Sequence, residues 1–326
     1  MPCAEKSEDV SDSNKLCLLT GYPGFLGSRL YQQLRELYDI HTIGLGPAET
    51  PKHLSFDLSQ AIPKIMNTKY DIVIHAAGRA HMIPSSATEE ALFFRVNQQG
   101  TVNLLAALDR LEHPPDAIVL ISSVAVYGRE HGICISESDS LDASDPYGLS
   151  KRKAEETVLS WNQPMTKKGI VRLPLVIGKN PPGNLGRMLN AVKKGIYFNV
   201  AGGKAKRSLV WIDDIFPFIK LLATKGGIYN LTDGCDTCFA ELYGALCDIL
   251  HKRKNPSLPR MVALTLAKIG DSIEWLTGRK MPYNSSSFRK MTSDLTFSCH
   301  KAIKDFGWQP TTAIAQIGTI FREDVY

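Results

Sequence analysis

Several things are missing from these 326 residues, and each absence removes a class of protein. No apolar segment reaches the roughly 18 consecutive residues that a membrane-spanning helix needs. The first residues have neither the basic start nor the apolar stretch of a signal peptide, so the expected location is the cytoplasm. The seven cysteines (Cys3, Cys17, Cys134, Cys235, Cys238, Cys247, Cys299) are odd in number and scattered, which argues against a disulfide framework and for a reducing compartment. Cys235 and Cys238 form a CxxC pair, but no second pair or nearby histidines accompany it, and no metal is expected. There is no run of five basic residues to serve as a nucleic-acid arm, and the net charge of +5 reads as modest and spread along the chain. No internal repeat or low-complexity tract is visible. Residues 1–14 are polar, acidic and without periodicity, and are expected to be a disordered leader.

What remains is a pattern of alternating elements. The apolar run Leu16–Leu19 ends in a glycine-spaced turn, and leucines at helical spacing (Leu26, Leu30, Leu34, Leu37) follow. Short strands are expected over His41–Leu45, Asp71–His75, Ala117–Ser122 and Ile170–Leu173, with helices from about Glu89 to Leu111 and Pro146 to Trp161 between them. Continuous apolar strands alternating with helices predict an α/β fold, a Rossmann-type doubly wound parallel sheet, over residues 15–178. The alternation breaks after Gly178, and residues 179–326 are expected to form mainly a smaller substrate-binding lobe. The pattern allows the chain to return to the main sheet near 205–235, where IYNL (Ile228–Leu231) resembles a strand. The stretch Leu258–Leu276 contains the apolar run Met261–Ala267 on an expected helix, with core or dimer packing as the default and membrane-surface contact as the other reading.

The turn TGYPGFLG spaces Gly21, Gly24 and Gly27 by three between strand and helix. Glycine lets backbone approach a ligand, and the helix start, Phe25 and Leu26, offers free N–H groups and a positive dipole end to a pyrophosphate. On the first βα unit of a parallel sheet, this predicts a dinucleotide site. The acidic residue that usually ends the second strand and holds the adenosine ribose is absent (GLGPAET), and so is a cation for a 2′-phosphate. NAD is therefore preferred, with NADP left open. Asp57 in SFDLS, with Leu58 beside it, is a candidate partner for the adenine amino group, or else a turn aspartate.

Tyr147 and Lys151 are four residues apart on an expected helix and so share a face. An ammonium beside a phenol favours the phenolate and lowers its pKa, which prepares the pair to exchange a proton with a substrate oxygen while hydride moves. Ser123, at the C-terminal end of an expected parallel strand, is placed to hydrogen-bond that oxygen.

Together TGYPGFLG, IHAAG (Ile74–Gly78), VNQQGT (Val96–Thr101), SSVAVYG (Ser122–Gly128) and YGLSK (Tyr147–Lys151) resemble, in order and spacing, the extended short-chain dehydrogenases of the nucleotide-sugar epimerase/dehydratase family. The resemblance implies a nicotinamide cofactor, with Ala76, Ala77 and Gly78 lining its path and Asn97 supporting the site. It also implies a nucleotide-diphosphate sugar, UDP-linked, as substrate, and a homodimer. By the same resemblance Asn184 (in PPGNLGRML) and Arg207 (in KRSLVW) bind the substrate pyrophosphate, although a helix cap and a surface charge are their ordinary alternatives.

The sequence also narrows the reaction. Dehydratases of this family carry an Asp-Glu pair after the active-site hydroxyl, and Val124 and Ala125 stand there instead, so elimination is disfavoured. A 4-ketoreductase and a 4-epimerase remain. Epimerases carry an aromatic and an asparagine just after the position of Arg172; Leu173, Pro174 and Leu175 occupy it here, which tilts the reading toward the reductase. Another alternative in the same fold is a dehydrogenase of a non-nucleotide alcohol such as a hydroxysteroid, which has no need of Asn184 or Arg207.

Overall fold

The computed structural model describes residues 15–322 apart from 81, 83, 85, 280 and 282; the expected leader, 1–14, lies outside the described residues. Its first half follows the strand–helix alternation of the sequence. β1 (Lys15–Thr20), α1 (Phe25–Leu34), β2 (Tyr38–Gly44), β3 (His53–Ser55) and β4 (Ile72–His75) come first. The long helical segment after β4 is interrupted: α2 (Ala87–Phe93) runs through a π-helical stretch, Phe94–Gln99, into α3 (Gly100–Leu108). Then come β5 (Ala117–Ser123), a 3₁₀ turn (Val124–Tyr127), β6 (Gly132–Ile135), α4 (Pro146–Ser160) and β7 (Lys167–Leu173). α4 starts sharply because the Asp145 carboxylate accepts from Gly148 N at 3.0 Å and Pro146 fills the first helical position.

The second half is more mixed: β8 (Leu175–Ile177), α5 (Gly183–Lys193), β9 (Lys206–Trp211), α6 (Ile215–Lys225), β10 (Gly227–Asn230), β11 (Asp236–Cys238), α7 (Phe239–Ile249), α8 (Arg260–Thr277), α9 (Ser285–Thr292), β12 (Leu295–Phe297), α10 (His300–Phe306) and α11 (Ile317–Arg322). The CxxC pair is local structure: Cys238 caps α7, its sulfur accepting from Glu241 N while Glu241 accepts from Cys238 N at 2.7 Å.

Seven strands in the order β10-β7-β5-β4-β1-β2-β3 pair in parallel throughout. Apolar clusters cover both faces, one around Leu30, Phe218 and Ile219 and the other around Leu104, Leu108 and Val158. The strand order reverses direction between β1 and β4, which opens a crevice at their C-terminal ends. A second sheet, β11-β9-β12-β6 with β8 on β9, forms the base of the smaller lobe, whose own core gathers Leu185, Leu189, Leu242 and Leu246.

One buried polar cluster fastens these parts together. Arg172 on β7 and Glu155 on α4 are each 2% exposed and pair at 2.7 Å, with a second bond from Arg172 Nε at 3.0 Å. Ser122, the register partner of Arg172 on β5, donates its hydroxyl to the same carboxylate. The remaining guanidinium nitrogen donates to Tyr127 Oη at 3.0 Å, and Tyr127 donates to Asn230 of β10 at 2.8 Å. Removing one member leaves an uncompensated charge in a dry site. Glu155→Gln is therefore expected to lower unfolding free energy by about 3–5 kcal/mol in a urea titration. The double replacement Glu155→Leu with Arg172→Met should lose clearly less, because no charge is then stranded; an equal or larger loss would count against this account.

Candidate active site

The glycine turn sits at the point where the strand order reverses. Gly21 has φ +89°, and a Cβ there would stand 2.6 Å from the backbone of Ala76 and Ala77, so the turn after β1 and the loop after β4 touch only because Gly21 has no side chain. A Cβ on Gly27 would lie 2.3 Å from Gly21 O, which lets the start of α1 press against the turn. Gly24, at the N-cap of α1, makes no side-chain cap bond. The first N–H groups of α1, from Phe25 to Gly27, are left to face outward as donors. A cradle that a Cβ would fill, lined with unpaired N–H groups at a helix N-terminus, fits the diphosphate of a dinucleotide.

Side chains without a role in the sequence reading hold this cradle in place. Thr20, the last residue of β1, shares a hydrogen bond of 2.7 Å with His75 Nδ1, and the other ring nitrogen bonds Thr101 Oγ1 at 3.0 Å. Thr20 Oγ1 also accepts from Ala77 N at 3.2 Å. Burial, aided by the nearby Lys151 charge, pushes the His75 pKa down to about 3, so the ring is neutral and acts as a bridge. The motif IHAAG contains this histidine, but only the fold shows that it ties β1, β4 and α3 together.

The hydroxyl and amine groups converge on the same crevice. α4 aligns Tyr147, Lys151 and Glu155 along one face. Lys151 is 6% exposed, and its Nζ donates to Ile121 O at 2.9 Å; a Cβ on Gly78 would come within 2.8 Å of that nitrogen. Burial lowers the Lys151 pKa to about 8, with Glu155 acting in the opposite direction. Asn97, on the π-helical stretch, accepts from Arg79 N at 2.7 Å, donates to Arg79 O at 3.0 Å and donates to Ser150 Oγ at 2.8 Å. It thereby clamps the loop after β4 to α4.

Tyr147 corrects one expectation. Burial holds its phenol above the ordinary value, and the hydrogen bond with Ser123 lowers it by less. Burial disfavours the phenolate and the Asp145 carboxylate adds to that effect, while the expected downward pull from the Lys151 ammonium is not among the influences on the phenol. The ligand-free chain thus keeps the proton on Tyr147. Ser123 ends β5, and its Oγ accepts from Ala125 N at 3.2 Å at the start of the 3₁₀ turn.

The other residues singled out in the sequence lie in different surroundings. Asp57 Oδ1 accepts from Ser59 N at 2.9 Å and closes its own turn, while the buried Leu58 accepts from Asn103 Nδ2 at 2.7 Å through its carbonyl. Asn184 is exposed on the first turn of α5 and accepts from Arg187. Arg207 on β9 lies 5.0 Å over the Phe239 ring and donates to the carbonyls of Lys206 (2.6 Å), Ser293 (2.7 Å) and Lys290, so its donors join β9 to the end of α9. A cation that the sequence reading passed over, Arg79, stands 5.6 Å over the Phe93 ring, which in turn packs 6.0 Å from Tyr147. Its position one residue after IHAAG was the available signal.

Comparison with known proteins agrees with this geometry, the model of the NAD dependent epimerase/dehydratase family matching residues 17–232. The chain belongs to that family. Among curated relatives, the N-acetyl-alpha-D-glucosaminyl-diphospho-ditrans,octacis-undecaprenol 4-epimerase of Escherichia coli O157:H7 is 28% identical over 307 residues, 88% of each chain. GDP-6-deoxy-D-mannose reductase of Pseudomonas aeruginosa is 26% identical over 247 residues, 71% of this chain and 79% of the relative. Among solved structures, MoeE5 in complex with UDP-glucose and NAD superposes with a TM-score of 0.72 at 19% identity, covering 95% of this chain and 99% of that one. This is an enzyme family dependent on a nicotinamide cofactor, and the fold is the one expected from the alternating strands and helices.

Two outcomes are expected from the relay geometry. Tyr147→Phe should lower turnover by about a hundredfold or more with cofactor affinity unchanged by calorimetry, and near-normal turnover would remove Tyr147 from the chemistry. Because the Lys151 pKa is depressed from its ordinary 10.5 to about 8, its ammonium is present below pH 8 and lost above it. The profile of kcat/KM against pH should accordingly fall above about pH 8, and Lys151→Arg, if it retains activity, should carry that limb to higher pH.

Proposed function

We propose that this chain interconverts the C4 epimers of a sugar carried on a diphosphate, UDP being the leading carrier and NAD the leading cofactor. The observation that carries the reading is the hydrogen bond between the Tyr147 and Ser123 hydroxyls, with Lys151 one helical turn further along α4 and its Nζ close to Gly78 in the loop that faces the glycine cradle. The cradle of Gly21, Gly24 and Gly27 would hold the diphosphate of the cofactor, which when bound would supply the hydride acceptor and donor for C4. Tyr147 must first lose its own phenol proton to solvent; as phenolate it then takes the C4 hydroxyl proton as hydride leaves, and gives it back as hydride returns to the opposite face of the ketone. Ser123 hydrogen-bonds the reacting oxygen throughout. The Lys151 cation favours the phenolate in the oxidising half, where burial alone works against it. Val124 and Ala125 carry no proton, so nothing in the turn after Ser123 promotes loss of water.

The departure that tilted the sequence reading toward a reductase is in part a matter of packing. Leu173 is buried in the main core, and Leu175 packs against the core of the smaller lobe. Packing is a sufficient account of Leu173 and Leu175, which leaves Pro174 as the remaining departure, and the 4-epimerase name of the E. coli relative supports the epimerase reading. The E. coli relative carries 4-epimerase in its name, with a sugar linked through a diphosphate to a polyprenol, and the MoeE5 structure holds UDP-glucose with NAD. The sugar diphosphate is the shared element, and the carrier differs. A homodimer working in the cytoplasm for surface-polysaccharide synthesis completes the proposal.

Incubation with UDP-N-acetylglucosamine or UDP-glucose and NAD is expected to give the galacto epimer by NMR with no net change in reduced nicotinamide. Stoichiometric consumption of reduced nicotinamide on a UDP-4-keto sugar, without epimer interconversion, would replace the epimerase by the reductase. Conversion of a polyprenyl-diphosphate sugar alone would leave the C4 chemistry and change the carrier.

A further inference from the structure

α8 is the most exposed apolar element of the chain. Its inner side is made of small buried residues, Ala263, Ala267 and Gly270, set against Phe288 and Tyr283. Its outer side carries Val262, Leu266, Ile269 and Leu276 in one stripe, with Met261 and Trp275 alongside. Met261 and Leu276 are each 73% exposed and Trp275 is 85% exposed. At 3.6 residues per turn these positions span about half of the helix circumference, an arc that also holds the exposed Thr265, Lys268 and Ser272. The segment Gly195–Tyr197, held by two bonds of 2.9 Å from Asn255 Nδ2, adds the exposed Ile196 at the foot of the same helix.

Charge is concentrated around this face. Residues 252–290 hold nine Lys and Arg against two Asp and Glu, whereas the remainder of the chain has 29 basic and 31 acidic residues. The net charge that reads as spread along the sequence therefore belongs to one region. Its two acids turn inward: Asp271 accepts from Ser285 N at 3.0 Å, and Glu274 accepts from Met281 N and Asn284 Nδ2. Lys268 stands exposed within that arc, between Met261 and Trp275, and Lys252, Arg253 and Arg279 are exposed in the segments that flank α8. The arrangement of an exposed apolar stripe, a terminal tryptophan and cations within and beside the face is one found in helices lying in a bilayer interface, where long lysine side chains reach the headgroups.

We infer that the outer face of α8 docks on an anionic lipid bilayer, lying in its surface without crossing it. No helix among the described residues is long and apolar enough to span. A second copy of the chain fits the face less well. A two-fold contact would bring the same cations against each other, and pairing along the Val262–Leu276 stripe would leave Met261 and Trp275 in water. A negatively charged plane covers the whole arc and neutralises its cations. The face belongs to the lobe beside the candidate site: α9, which packs on α8, reaches Glu130, shortly after the Ser123 turn, through Arg289 at 3.4 Å. The inference does not depend on the sugar or its carrier, because docking is read without substrate.

The test is flotation of the full chain with vesicles of phosphatidylglycerol and phosphatidylethanolamine, with phosphatidylcholine vesicles for comparison. Binding is expected on the anionic vesicles, with a blue shift of Trp275 emission, and at least about a tenfold loss on phosphatidylcholine or in about 0.5 M salt. Leu266→Glu with Ile269→Glu should abolish flotation while leaving the thermal midpoint and cofactor affinity unchanged, since both side chains are exposed. Trp275→Phe should keep flotation and lose the blue shift. The inference is overturned if the wild-type chain does not float with anionic vesicles, if it binds phosphatidylcholine equally, or if the double variant still floats. It is also overturned if sedimentation shows a wild-type dimer that the double variant converts to monomer without any vesicle binding, which would give the face to a second copy.

Discussion

Glu155 and Arg172 are buried opposite charges, and the geometry of the candidate site depends on where they meet. Glu155 lies on the same face of α4 as Lys151 and Tyr147, and Arg172 lies beside Ser122 in the sheet, one residue before Ser123 on β5. Their bidentate contact fixes the height and rotation of α4 over β5 and β7. A rotation of the helix that separated Tyr147 from Ser123 would also pull a carboxylate away from a guanidinium that no water reaches. The pair therefore holds the hydroxyls in register although it is separated from the reacting centre, and Tyr127 and Asn230 extend the same restraint to β10.

The electrostatics of the relay are governed by burial as much as by neighbours. Desolvation raises the phenol of Tyr147 and lowers the amine of Lys151, so both groups are pushed toward their neutral forms. Glu155 acts in the opposite direction on Lys151 and limits the fall. The neutral His75 contributes hydrogen bonds without adding a charge to a region already occupied by Lys151. The smaller lobe follows a different principle: its polar donors, Arg207 among them, are spent on backbone carbonyls that tie β9 to α9.

The residues that were legible in the sequence are those whose chemistry needs a fixed local spacing. Three glycines between a strand and a helix, and a Tyr and Lys one helical turn apart, carry their meaning within a few residues, because turns and helices are periodic. Thr20, His75, Asn97, Glu155 and Arg172 work through partners 17 to 55 residues away, and spacing alone says nothing about such pairs. Leu173 and Leu175 are a case where a family pattern and the packing offer different accounts of the same residues. Read against a family pattern they pointed to the substrate, yet their side chains pack in hydrophobic cores.

By itself the sequence determined the parallel α/β fold, the glycine spacing between β1 and α1, the Tyr147–Lys151 pair one helical turn apart and the identities of Val124 and Ala125 after Ser123. Each of these is set by local periodicity or by the chemical identity of a residue in a short motif. Tertiary structure decided which loops touch, which charges are buried and which apolar residues stay uncovered. Whether Tyr147 keeps its proton depends on how deeply the fold encloses it. That cations of residues 252–290 lie within and beside one exposed helix face depends on how α8 packs through Ala263, Ala267 and Gly270. Burial and encounter are properties of the packed chain, and a linear pattern contains neither.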